Sequence, residues 1–109
     1  MSTPRIISGL AVAAALIVLA PAEGAKAAAS RGEILSHQWC AQCHGVGPNQ
    51  PSADQNAPSF SAIAAEPSAT EYSLRTFLRV PHPTMPNFVI KPDDIDDIVD
   101  YITSLKPQK

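Results

Sequence analysis

An all-α fold of three to five short helices is predicted by three features of the sequence. No stretch alternates apolar and polar residues as a half-buried strand would. Near the C-terminus, Ile95, Ile98, Val99, Ile102 and Leu105 form one apolar stripe at helical spacing, with aspartates between them. Long polar loops separate the other apolar segments, and such loops are unusual in a small domain unless they wrap something.

The first residues read as an export signal. Arg5 precedes an uncharged apolar run over residues 6–20, and Ala25 and Ala27 then supply an A-x-A cleavage pattern. At helical rise that run spans roughly 22 Å, short of the ~30 Å hydrocarbon core, so cleavage near Ala27 or Ala29 is favoured over a retained anchor. The expected organisation is a signal over residues 1–27 and one small domain over 28–109, delivered to the periplasm with no membrane insertion once the signal is removed. The chain's formal net charge of -2 offers no basic patch for nucleic acid. With so few residues to build a core, the domain needs a staple from outside its own side chains.

Taken in order, residues 30–39 form a short helix carrying Ile34 and Leu35. It runs directly into Trp39-Cys40-Ala41-Gln42-Cys43-His44-Gly45. Residues 45–58 are rich in Gly, Pro, Asn, Ser and Asp, which is turn chemistry. Phe60–Ala65 is apolar enough for one or two helical turns. Ser68 with Glu71 fits a capping box opening a helix that bears Leu74, Phe77 and Leu78 and stops at Pro81. Pro81, Pro83 and Pro86 make residues 81–88 a stiff extended loop. Pro92 suits a first helical position, and Asp93, Asp94, Asp96 and Asp97 place negative charge at the positive end of the last helix dipole. The aspartates are expected on its solvated face. The expected core consists of Leu35, Phe60, Ile63, Leu74, Phe77, Leu78 and Phe88, completed by Ile95, Ile98, Val99 and Ile102 of the stripe.

The cysteine motif carries the chemistry. A dithiol oxidoreductase would place C-x-x-C after a strand of a βα unit, and no strand pattern exists to do so. A structural zinc site needs four ligands, and beyond Cys40, Cys43, His44 and the distant His82 nothing resembles a second ligand pair. A lone surface disulfide would close a tiny loop and constrain little. Cys-x-x-Cys-His is the attachment pattern of covalent haem c. Two thiols one helical turn apart can each form a thioether to a vinyl group, and the next residue, His44, then reaches the iron. Met85, in its proline-braced loop, is the leading sixth ligand, since His/Met is a known haem arrangement. His82 is its rival and His37 a weaker one.

The segments Cys40–Gly45, Ala57–Phe60, 81–88 and 96–105 resemble, in order and rough spacing, the class I bacterial c-type cytochromes. The resemblance covers residues 30–106. It implies a cytochrome c-like fold around one covalent haem c, with Cys40 and Cys43 as anchors and His44 and Met85 as the iron ligands. It also implies that the carbonyl of Pro58 accepts a hydrogen bond from the other nitrogen of His44, and that Gly32 meets Tyr101 where the first and last helices cross. Two positions depart from the pattern. Ser36 stands where an aromatic is usual, which would loosen the crossing unless Trp39 fills it, and Lys91 stands where Ser or Thr commonly caps the last helix.

With both iron positions filled, the expected function is one-electron transfer rather than catalysis. The expected product is a monomeric periplasmic carrier, no enzyme, serving redox partners such as a dehydrogenase, an oxidase or a reductase. Two alternatives are weighed against it: a peroxidase-like protein with a labile Met85, and a relay subunit fixed inside a dehydrogenase or oxidase complex.

Overall fold

Helix α1 (Arg31–Trp39) begins at Ser30, whose hydroxyl accepts from the Glu33 amide at 3.1 Å and satisfies one of the unpaired donors of the first turn. In the computed structural model, which describes residues 29–108 with Met1, Pro4 and Gly9, three more helices follow. They are α2 (Phe60–Ala65), α3 (Glu71–Arg79) and α4 (Pro92–Ser104). The described residues contain no strand, so the fold is all-α as expected. The expected signal falls almost wholly outside them.

Helix α4 organises the rest. Among the described residues, α1, α2 and α3 each pack on α4, and none of the three packs on another. The reason lies in the stripe: Ile95, Ile98, Val99 and Ile102 are almost completely buried, so α4 supplies more of the core than any other element. Leu35 of α1, Phe60 and Ala64 of α2 and Leu74 of α3 cover it from three sides. Val46, fully buried, closes the core from the loop after the cysteine motif. The sequence reading passed over it as part of a turn.

The crossing of α1 and α4 is tight. A Cβ on Gly32 would lie 1.9 Å from the carbonyl oxygen of Asp97 and 2.9 Å from Tyr101 Cβ, so only hydrogen fits there. Ser36 does not loosen this contact. Its hydroxyl is completely buried and donates back to the Gly32 carbonyl at 2.7 Å. A larger residue is unnecessary because the backbones already touch.

Three expectations need correction. The N-cap of α3 is Thr70 rather than Ser68, because Thr70 and Ser73 exchange side-chain-to-backbone bonds at 3.1 and 2.9 Å. The Ser68 carbonyl instead accepts from the Ser73 hydroxyl. The aspartates of α4 are not all solvated. Asp94 is 7% exposed; with Asp97 it lies on the flank facing α1, where Arg31 bonds both carboxylates. Asp96 and Asp100 lie on the flank facing α3, where Arg75 pairs with them at 2.7 and 3.6 Å. Phe77 and Phe88, expected in the core, are 50% and 44% exposed. In helix α3 Leu74 is buried and Leu78 packs partly buried against the core, while Phe77 faces outward. Lys91 makes no side-chain cap; Pro92, which has no N–H to satisfy, and the acidic first turn start α4 instead.

Candidate cofactor site

The helical path of α1 continues into the cysteine motif. Cys40 N–H bonds the Ser36 carbonyl at 2.9 Å, and the amides of Cys43 and His44 both bond the Cys40 carbonyl, at 3.2 and 2.9 Å. Cys40 and Cys43 therefore stand one turn apart at a helix end, both half-buried and both free thiols. Burial pushes the Cys40 thiol up to about 11. A redox-active dithiol requires the opposite shift, toward an accessible thiolate.

The polar segment after the motif folds back over it. The Asp54 amide bonds the Cys43 carbonyl at 3.1 Å, the Phe60 amide the Gly45 carbonyl at 2.8 Å, and the Ser52 hydroxyl accepts from the Gly45 amide at 3.0 Å. A Cβ on Gly45 would meet the Gln50 carbonyl oxygen at 1.9 Å, so glycine permits this closure. The folded loop delivers the Pro58 carbonyl to His44 Nδ1, at 2.6 Å. A carbonyl only accepts, so Nδ1 donates here, and in the neutral ring Nε2 is the nitrogen left with a lone pair. Its ring lies 5.6 Å from that of Phe60, which in turn lies 6.4 Å from Tyr101.

Met85 and His82 sit elsewhere. They line one cleft with Leu78, Val80, Pro86 and Phe88, and the motif residues are not part of its wall. The structure thus gathers Cys40, Cys43, His44 and Pro58 in one cluster and Met85 with His82 in another, both mounted on α4 through α1 and α3. His37 is exposed on α1 and joins neither. Among the described residues, no three His, Cys, Asp or Glu side chains converge as a metal site would.

Residues 27–102 match the family described as cytochrome c oxidase, cbb3-type, subunit III. That is well over half of the chain. The chain belongs to the c-type cytochromes. It is also 39% identical over 95 residues to cytochrome c-552 of Bradyrhizobium diazoefficiens, covering 84% of this chain and 91% of that protein. No solved structure matches it. As a c-type cytochrome it binds haem c covalently, carries electrons and exchanges them with redox partners.

The residues of this cytochrome fit that group. Two free thiols and an imidazole held through Nδ1 form one cluster, and the Met85 thioether lines a separate cleft. Among the described residues, Phe77, Val80 and Phe88 leave about half of their surface exposed, which an apolar disc would bury. His82 Nε2 is buried without a hydrogen-bond partner, which marks a polar atom awaiting one. Among the described residues, no helix is long and apolar enough to cross a membrane.

Proposed function

We propose that this cytochrome is a monomeric periplasmic one-electron carrier, anchored to haem c through Cys40 and Cys43 and holding it with His44 and Met85. The observation that carries the reading is the 2.6 Å contact between His44 Nδ1 and the Pro58 carbonyl. Bound haem supplies a one-electron ferric/ferrous couple. The bond to Pro58 sets the tautomer, aims Nε2 and makes the imidazole a better donor. Met85 supplies a soft sulfur, and Met/His ligation raises the reduction potential. Pro81, Pro83 and Pro86 restrict the loop before the sulfur is bound, so less entropy is lost on binding. With His44 and Met85 both engaged, no position is left for substrate, so the protein carries electrons rather than catalysing a reaction. Arg5, the apolar run 6–20 and the Ala25/Ala27 pattern direct it across the inner membrane.

A second reading has one specific observation behind it. The matching family is described as an oxidase subunit, so the same chain would relay electrons inside a terminal oxidase complex. Co-purification from the native membrane separates the two: a free carrier stays in the periplasmic fraction, and a fixed subunit follows the oxidase activity.

The ligand set is tested directly. Protein made with cytochrome maturation machinery should keep its haem through acid-acetone extraction and gain the mass of one haem. Cys40→Ala and Cys43→Ala should each leave at most one thioether, and His44→Ala should yield little folded holoprotein. A ferric spectrum lacking the weak far-red sulfur-to-iron band would remove Met85 from the assignment.

A further inference from the structure

Among the described residues, His82 Nε2 is the only buried side-chain nitrogen or oxygen with no hydrogen-bond partner. Buried polar atoms are normally satisfied, and an exception calls for an explanation. Local backbone offers little help, because Pro81 and Pro83 on either side of His82 have no N–H. The ring packs edge-on against Phe77, which holds it at the cleft instead of in solvent. Met85 lines the same cleft. The two residues stand three positions apart, at most about 11 Å of extended chain.

Their chemistries differ in a useful way. Thioether sulfur is a soft donor, whereas imidazole nitrogen suits iron generally. An imidazole held in the same cleft as the sulfur is poised to replace it.

We propose that His82 is a reserve iron ligand, which takes the sixth position through Nε2 whenever the Met85 thioether leaves it. This rests on the reading of Met85 as the resident ligand. In the exchange one iron–sulfur bond breaks and one iron–nitrogen bond forms, with no electron gained or lost; the ring proton resides on Nδ1. His44 and His82 would then hold the group together, which would lower its potential because the sulfur donor is gone. The position stays closed to peroxide and other small ligands, so loss of Met85 silences the carrier without turning it into an oxidant.

The test uses ferric holoprotein carrying Met85→Ala, alone and with His82→Ala, read by low-temperature electron paramagnetic resonance and near-infrared magnetic circular dichroism. The wild type should show a His/Met pair, Met85→Ala a low-spin bis-imidazole pair, and the double variant a high-spin iron. Cyanide should bind the double variant at least about tenfold more tightly than Met85→Ala, because apparent affinity scales with the fraction of open sites. Met85→Leu, which keeps the side-chain volume, replaces Met85→Ala if the alanine protein does not fold. A high-spin single variant overturns the proposal while leaving Met85 as ligand. A double variant that remains low-spin also overturns it, since another group then fills the site. If the wild type lacks the sulfur signature and His82→Ala alone makes it high-spin, Met85 was never resident, and it is the proposed ligand set that fails first.

Discussion

Gly32 and Gly45 show how much of this protein depends on atoms that are absent. At each, a Cβ would lie 1.9 Å from a backbone oxygen, of Asp97 and of Gln50 respectively. Backbone cannot step aside as a flexible side chain can. Gly32→Ala should therefore force α1 off α4 and destabilise the protein by about 3 kcal/mol or more, the upper range for overpacking. Urea unfolding of the holoprotein measures this, and an unchanged midpoint would show that the crossing tolerates a wider gap. Ser36 belongs to the same contact: its buried hydroxyl returns to the Gly32 carbonyl at 2.7 Å, so a small polar residue completes a crossing that has no room for a ring.

At the scale of elements, the decisive connection is between α4 and the loop over the cysteine motif. The Tyr101 hydroxyl donates to the Val46 carbonyl at 2.7 Å, in the core. Burial first, and the negative charge of Glu33 second, raise the Tyr101 hydroxyl above its ordinary value of 10.0. The folded state thus holds this proton more tightly than the unfolded chain. The associated stability is complete below the unfolded value and is lost as pH rises through the higher folded one. Wild-type melting temperature should accordingly fall on the alkaline side of pH 10 more steeply than that of Tyr101→Phe. At neutral pH, Tyr101→Phe should cost about 1–3 kcal/mol, since the Val46 carbonyl stays buried without its donor. Thermal melts at several pH values check both statements, and parallel pH profiles for the two proteins would show that the tyrosine does not govern the alkaline limb.

For the whole molecule, the question is where a redox partner docks. The aspartates of α4 read in sequence as its solvated face, but Arg31 and Arg75 engage four of them: Asp94, Asp97, Asp96 and Asp100. Asp93 has no ion-pair partner among the described residues, so it is the position that changes charge without breaking a contact. Asp93→Lys should alter the electron-transfer rate only by long-range steering, an effect that fades as screening shortens to ~8 Å or less. Thr84 is exposed next to Met85; Thr84→Lys should slow transfer even at high salt, because it obstructs contact at the loop itself. Stopped-flow rates across ionic strength distinguish the two. A salt-resistant loss with Asp93→Lys would move the docking face onto α4.

What the sequence determined by itself is what local chemistry controls. The four helices, the stripe of α4, the stop at Pro81 and the Cys40-x-x-Cys43-His44 motif are legible because periodicity, capping and spacing act within a turn or two of chain. Tertiary structure decided the rest. Asp94 is buried because Arg31, 63 residues away in sequence, comes to meet it, and no pattern within α4 reveals that neighbour. Val46 is core because the Tyr101 hydroxyl, 55 residues on, reaches its carbonyl. Thr70 displaced Ser68 as the cap because the partner hydroxyl belongs to Ser73, a choice between adjacent candidates that only the backbone path resolves. Phe77 and Phe88 were read as core by hydrophobicity alone; hydrophobicity says that a side chain should be covered, whereas the fold decides whether protein does the covering.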